Sequence, residues 1–442
     1  MNEKYPSFKK IVATLLDLEN KYNLLEWKIN DIFVWQSARM LIFTKLLDSC
    51  IPSNAIINKK SLLQNIKSFF KRCIINSLLH NPFFDFNKSD VLVFESGRKY
   101  LVDDHYIDIY TKYFCDDLKK ENISYQKYEI NYNVSDLTPR YQRTKHLDFI
   151  LIISKLTSKF VNPKLSETDK ELTAKLETSV YEQLGIRINL LIIFTNEIKR
   201  FKSQYPFYKI LFQLKRAKKI YIINSSDKAP LIKAAKDNDI IVTELQHGLI
   251  IKESLSCHFP NTRENSLEYF PNKFYIWEDL NMCTSKIPIS IECIVNFRNK
   301  HLDYMLEKNR NITCKENQVL IVSQPYSSPA ILQFIIDNIE ELPNWQFVYK
   351  LHPLENPDLF INSFLFSKYK NLTIVKNDSS IYKLFSESKF VIGVYSTAVF
   401  EATYFGCNTL LLNLPGIEMS YSLVESNKAK LIDINERLQK YL

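Results

Sequence analysis

Glycine is scarce in this sequence, with only six in 442 residues. Gly97, Gly185, Gly248, Gly393, Gly406 and Gly416 are therefore expected where the backbone needs a left-handed turn or a close approach. No run of about 18 uncharged apolar residues occurs, so a transmembrane helix is not expected. Met1-Asn2-Glu3-Lys4 lacks the apolar stretch of a signal peptide, which places the chain in the cytoplasm as an expectation. The eight cysteines (50, 73, 115, 257, 283, 293, 314 and 407) form no CxxC pair. That argues against a zinc knuckle or redox motif and for reduced, mainly buried thiols. There is no GxxxxGK[ST] loop, which excludes a P-loop NTPase, and no GxGxxG after a strand. No DxD ends a strand, so no metal site and no cofactor is expected. A leaving phosphate would then be stabilised by a helix N-terminus and basic residues. The net charge of +9 comes without an Arg-rich arm or a nucleic-acid motif. It points away from nucleic acid and towards a membrane surface or an anionic substrate.

What is present is an alternation of apolar runs and helical stretches. Residues 1–85 read as helical. Within them, 58–80 is basic and amphipathic and suits either packing on the protein's own core or peripheral contact with the inner face of a membrane. From residue 90 the pattern becomes strand, turn, helix. VLVFES (91–96) is a short apolar run closed by Gly97, as a buried parallel strand would be. A helix near 107–121 and a strand at 123–130 follow, then an ambiguous 146–153. A long helical region at 166–204 precedes a helix at 207–217. Strand 219–224, helix 229–237 and strand 240–245 complete the first series. Residues 281–316 read as a connector. Strands at 318–323, 346–351, 371–376, 389–395 and 408–413 and helices at 329–340, 380–387 and 397–405 then resume the rhythm. The tail, 426–442, reads as a helix. The expected fold class is α/β, with two Rossmann-like parallel-sheet domains (86–280 and 317–425) facing a cleft. Ligands of such sheets bind at the carboxyl ends of the strands.

Four constellations fall at such ends. In Tyr349-Lys350-Leu351-His352-Pro353 the proline closes the turn and aims the imidazole, which can donate to a phosphate or a ribose hydroxyl. Lys350 sits on the opposite side of the strand from Leu351, or near its edge. In Tyr395-Ser396-Thr397-Ala398-Val399-Phe400-Glu401-Ala402 a hydroxyl residue caps a helix. Its free N–H groups make an anion site. Glu401 lies one turn on from Thr397, on the same face, and can take ribose hydroxyls. In Thr243-Glu244-Leu245-Gln246-His247-Gly248, His247 is a candidate general base or phosphate donor at a turn, with Glu244, Gln246 and Gly248 around it. In Phe94-Glu95-Ser96-Gly97-Arg98 the charged pair Glu95 and Arg98 flanks a glycine. Glu95 there is a second candidate base towards an acceptor hydroxyl, against the plainer reading of a charged loop.

At these residues the sequence resembles bacterial capsule and O-antigen glycosyltransferases of the GT-B fold. The likeness rests on ELQHG (244–248), KLHP (350–353) and YSTAVFEA (395–402), in that order, and spans about residues 90–425. Transferases that use CMP-linked sialic acid or Kdo share such motifs, as do the CDP-glycerol glycerophosphotransferases of teichoic acid synthesis. The resemblance implies a nucleotide-sugar donor (CMP-, UDP- or another) and a glycan or lipid-linked acceptor. It places Lys350 and His352 at the nucleotide or its phosphate, Ser396 and Thr397 at the phosphate, and Glu401 at ribose. His247 becomes a base or a phosphate contact. The acidic pair plus glycine of polysialyltransferases is replaced by the partial match FESG (94–97). Glycerophosphate transfer, a nucleotide-sugar epimerase of the UDP-N-acetylglucosamine 2-epimerase type, and a non-enzymatic scaffold of polysaccharide assembly are the rival readings.

Overall fold

The computed structural model describes residues 6–50, 77–78, 80–96, 99–103, 105–129, 144–277, 285–310, 315–325, 327–352, 355, 368–376 and 380–442. Most of the basic stretch 58–80 lies outside them, as do Gly97, Arg98 and Pro353. The chain forms two compact units. One consists of Ile11–Ser49 and Lys60–Asn299. The other is Lys300–Leu442 with short stretches from the first sixty residues.

The first unit opens with helix Phe8–Lys21, from Ile11 on, and helix Val34–Asp48, which flank a small hairpin of β1 (Lys28–Ile29) and β2 (Ile32–Phe33). These helices are part of the unit's own core. Arg39 is buried in a bidentate pair with Glu19, its Nη2 2.8 Å from Oε2, and also donates to the His258 carbonyl at 3.0 Å. The central strands are β3 (Val91–Phe94), β6 (Tyr125–Glu129), β7 (Lys145–His146), β8 (Lys219–Ile223), β9 (Ile241–Leu245), β10 (Lys273–Ile276) and β11 (Ile294–Asn296). Between β3 and β6 a hairpin of β4 (Tyr100–Val102) and β5 (His105–Ile107) stands apart. The main sheet runs β11-β10-β9-β8-β3-β6-β7, parallel throughout.

Alternate residues of β3 explain why it is a continuous apolar run. Leu92 and Phe94 pack with Ile220, Ile222, Leu211 and Phe212 on one face. Val91 and Val93 pack with Phe114, Leu118 and Tyr221 on the other. A strand covered on both faces has no polar side. On the first face lies helix Leu190–Lys215, 26 residues long with Pro206 inside it. The break expected between a helical region at 166–204 and a helix at 207–217 is thus absent; the chain breaks instead at Gly185, between helix Glu167–Leu184 and this one. Proline removes one hydrogen bond, and the burial of Tyr208, Leu211 and Phe212 beyond it keeps the helix continuous.

The second unit carries β12 (Glu316–Val322), β13 (Gln346–Lys350), β14 (Leu372–Val375), β15 (Ser388–Gly393), β16 (Asn408–Leu412) and β17 (Ala429–Ile432). They form one parallel sheet in the order β14-β13-β12-β15-β16-β17. Both units therefore have the expected parallel α/β build. The expected C-terminal helix over 426–442 is corrected: Ala429–Ile432 pairs with β16 as the edge strand, and only a single tight turn, Leu438–Lys440, follows. Ala429 and Ile432 are buried, Leu431 is half-buried and Lys430 is exposed. Residues 285–299 of the expected connector belong to the first unit, where β11 extends its sheet.

Three glycines have the left-handed backbone anticipated for them: Gly185 (φ 70°), Gly406 (φ 68°) and Gly416 (φ 99°). Gly393 is required by space, since a Cβ there would lie 2.6 Å from Val399 Cγ1. Gly248 shows neither need: its φ is not positive and its surroundings are open.

Candidate functional site

In the second unit the first strand, β12, lies at the centre. The chain moves outward through β13 and β14 on one side, then returns to β15, β16 and β17 on the other. Crossovers therefore reverse direction between β12 and β15, and such a switch point opens a crevice at the carboxyl ends. The sequence-predicted residues leave two of the three strand ends there. His352 follows β13, and Ser396 and Thr397 follow β15.

The His352 turn is fastened by side chains that local sequence patterns do not announce. Glu355 is buried. Its Oε2 accepts from the His352 N–H at 2.6 Å, and its own N–H donates to the His352 carbonyl at 2.9 Å. Oε1 of Glu355 accepts from Ser323 Oγ at 2.8 Å. Ser323 and Ser328 then meet the Tyr349 hydroxyl at 3.0 and 3.1 Å. This buried polar knot ties the end of β12, the end of β13 and the start of helix Ser328–Ile339 together. It holds a half-buried imidazole at the mouth of the strands. Lys350 is the last residue of β13, in register with Val322 on one side and Val375 on the other. Its side chain is half-buried.

Helix Thr397–Tyr404 begins as expected. Ser396 is the N-cap, and its Oγ accepts from the Ala398 N–H at 3.1 Å. Thr397, the first helical residue, is half-buried. Glu401 sits one turn on and interacts with the hydroxyl of Tyr382 from helix Ile381–Glu387. Burial pushes the Glu401 carboxyl up to about 7, with the Tyr382 hydroxyl pulling the other way. Near neutrality it can thus donate as well as accept, beyond the purely accepting carboxylate expected.

In the first unit β3 holds the place of β12, with β6 and β8 beside it. Glu95, at the end of β3, is buried and ion-paired to Lys99 and to Lys127 at 3.0 Å. Burial alone would raise its carboxyl; the two ammonium groups outweigh that and hold it below the usual carboxylate range. Lys99 also pairs with Glu129 at 2.9 Å. Asp108, fully buried, accepts from the N–H and Oγ of Ser96 at 2.7 and 2.6 Å. Burial and the Glu95 charge raise its carboxyl. Glu95 is thus a clamped anion of low basicity. Arg98 lies outside the described residues.

The His247 loop leaves β9. Its imidazole is half-buried, with Nδ1 3.8 Å from Glu244 Oε1 and the ring edge-on to Tyr110 at 6.2 Å between centroids. Glu244 is buried and accepts from the Ser225 N–H at 3.1 Å. Burial pushes its carboxyl up to about 7, the Ser225 contacts opposing. Gln246 has a supporting task. Its Oε1 accepts from the Trp277 N–H at 2.6 Å, and its Nε2 donates to the Gly248 carbonyl at 2.7 Å. Its backbone N–H reaches the Tyr275 carbonyl at 2.9 Å.

No family model matches the sequence, and no curated protein does. Among solved structures the chain is similar to the UDP-GlcNAc 2-epimerase from Methanocaldococcus jannaschii, at 12% identity over 78% of this chain and 89% of that one, with a TM-score of 0.45. It is also similar to the UDP-GlcNAc 2-epimerase from Neisseria meningitidis bound to UDP-GlcNAc (15% identity, 78% and 87% covered, TM-score 0.45). A third is MurG of Acinetobacter baumannii (11% identity, 78% and 86% covered, TM-score 0.41).

Among the described residues no group of three or more His, Cys, Asp or Glu is arranged to hold a metal ion. No described helix is long and apolar enough to cross a membrane. The described strand ends of the two units carry acid–base and anion-binding groups. One has an imidazole backed by a carboxyl; the other has an imidazole beside a helix start. Glu355, Tyr110 and Ser323 were not anticipated from sequence. Only the polar spacing of Ser323 and Glu355 around strand ends could have signalled two of them.

Proposed function

We propose that this protein is a glycosyltransferase that moves a sugar from a nucleotide-activated donor to a hydroxyl of a bacterial surface polysaccharide. The donor nucleotide is bound by the second unit. Its phosphate meets His352 and the start of helix Thr397–Tyr404, Lys350 adds positive charge, and Glu401 takes ribose hydroxyls. The observation that carries this reading is the strand order. It sets the ends of β13 and β15 on either side of β12, where parallel sheets bind nucleotides. The polysaccharide class rests on the sequence resemblance.

In the reaction, His247 takes the acceptor proton on Nε2, while Glu244 beside Nδ1 orients the ring and offsets the imidazolium charge. The acceptor oxygen bonds the anomeric carbon as the bond from that carbon to the phosphate oxygen breaks. The electron pair leaves with the nucleotide, whose charge the helix N–H groups and His352 stabilise. A nucleotide-sugar epimerase would use the same donor site and would employ Glu244, poised near neutrality, as an acid–base about one ring. Incubation with donor alone separates the two: an epimerised or eliminated sugar supports the epimerase, and an unchanged donor supports the transferase.

A thermal-shift screen with CMP, CDP, UDP, GDP and dTDP tests the donor site, because a ligand of the native state raises the melting temperature. One base should stand out. His352→Ala should lose about tenfold or more in affinity for it, as expected for a lost charge-assisted contact, at an unaltered ligand-free melting temperature. His247→Ala should keep nucleotide binding and lose transfer. A flat response to all five nucleotides would remove the donor site.

A further inference from the structure

One face of the first unit's sheet is covered by helix Leu190–Lys215, helix Asp148–Thr157 and the turn Pro82–Phe84. Their inner sides share one core, in which Ile150, Leu211 and Phe212 pack with Leu92 and Ile220 of the strands. Phe149 joins the three elements sideways, its ring 5.7 Å from Phe83 and 6.4 Å from Phe207 between centroids. With their inner sides on one core, these elements turn their outer sides away from the sheet together.

That outer side is not polar. Phe84, Phe86 (77% exposed), Leu156, Phe160 (88% exposed), Ile210 and Leu214 are all exposed. Pro206, Ile210 and Leu214 recur every four residues along the long helix, on the side opposite Tyr208 and Phe212, and so form one stripe. In helix Asp148–Thr157, Phe149–Ile153 is an unbroken apolar run of which only Ile150 is buried. The outward side of a surface helix is normally polar. Neighbouring exposed apolar side chains mark a surface that docks on something.

Charge decides between occupants. The segments 81–89, 145–160 and 206–216 contain seven Lys or Arg and two acids. Asp148 is fully buried, and Asp85 is paired to Lys145 at 3.1 Å with Lys215 at 3.9 Å. Lys88, Lys155, Lys159, Lys209 and Arg216 remain exposed or half-buried among the apolar groups. A second copy of this face would bring like charges together. The chain's own segment 51–76 has five basic residues and no acid, so it does not complement the face either. A surface with anionic headgroups above acyl chains matches both the lysines and the rings.

We propose that this face docks the protein on an anionic phospholipid bilayer. Phe84, Phe86 and Phe160 enter the boundary between headgroups and acyl chains, and the lysines meet the lipid phosphates. The proposal stands apart from the nucleotide site and uses residues of the first unit alone.

Flotation of the full chain with vesicles tests it. Vesicles of phosphatidylcholine mixed with phosphatidylglycerol should bind about tenfold or more tightly than vesicles of phosphatidylcholine alone. The difference should shrink as salt is raised. Phe86→Ser combined with Phe160→Ser should weaken binding to the mixed vesicles about tenfold or more. Lys155→Glu combined with Lys159→Glu should erase the preference for them. All four positions are exposed, so both variants should melt with the wild type. Wild-type protein that floats with neither vesicle overturns the proposal. So do variants that float like wild type, because the contact then lies elsewhere in the chain. Sedimentation velocity covers the remaining occupant: a wild-type dimer that the double serine variant turns into monomer would make this face a contact between copies and overturn the proposal as well.

Discussion

Glu244 links stability to chemistry at a single side chain. Its carboxyl, ordinarily near 4.5, is pushed by burial to about 7. Between those values the unfolded chain has released the proton and the folded protein still holds it. The protonated acid's contribution to folding is thus complete below about pH 4.5 and is lost as pH rises through 7. Glu244→Gln keeps a neutral group of the same shape, so it should be more stable than wild type at pH 8, by about 1–3 kcal/mol. At pH 5 the difference should shrink. Melting curves at the two pH values check this, and a gap that does not widen with pH would contradict it. The same variant should transfer sugar at least about tenfold more slowly, because an amide cannot balance an imidazolium. The residue types at these two strand ends, one in each unit, were legible in ELQHG and KLHP. Their partners were not. Glu95 is clamped by Lys127, 32 positions away, and no local pattern reports a neighbour supplied by another strand. Glu355 gains its meaning in the same way, from Ser323, 32 positions away.

At the scale of elements, apolar runs read as strands wherever a strand is covered on both faces. β3, β8, β9, β12, β13, β15 and β16 all fall where the runs were found. The strands that escaped notice are β10, β11 and β17 of the main sheets and the hairpin strands β1, β2, β4 and β5. All are four residues long or shorter, each of the first three carries an exposed residue, and they include both an edge strand of the first sheet and one of the second. One face of an edge strand's hydrogen bonding is unpaired, so its side chains need not be uniformly apolar. Gly393 shows how closely a helix is set against such a strand. A methyl group there would meet Val399 Cγ1 at 2.6 Å, and Val399 is wholly buried. Gly393→Ala should therefore destabilise by about 1–3 kcal/mol, the usual cost of overpacking. It should also shift Ser396 and Thr397, three and four positions on, and weaken nucleotide binding. Val399→Ala placed in the same chain should recover part of both losses. Denaturant midpoints and nucleotide affinities of the single and double variants measure the coupling, and strict additivity would show that the contact does not govern the helix position.

At the scale of the molecule, the same order of strands occurs twice. Each sheet starts at an inner strand, runs two strands outward, then returns past the start, with three more strands in the second unit and four in the first. Right-handed crossovers force this winding to place its crevice at the carboxyl ends. Each unit therefore has a ready-made place for a ligand, and the residues there decide which ligand it is. The ends of β12, β13 and β15 carry hydroxyls, an amide, a lysine and an imidazole beside helix starts, a set with little negative charge apart from Glu355 and Glu401. The ends of β3, β6 and β9 carry Glu95, Glu129 and Glu244, with Asp108 close by, and lysines already committed to Glu95 and Glu129. An anionic nucleotide should accordingly choose the second unit. Hydrogen–deuterium exchange with and without the nucleotide found in the thermal screen should show its strongest protection in peptides covering 319–331, 346–352 and 393–404. Protection centred instead on 91–96 and 219–248 would assign the nucleotide to the first unit and remove the role proposed for His247.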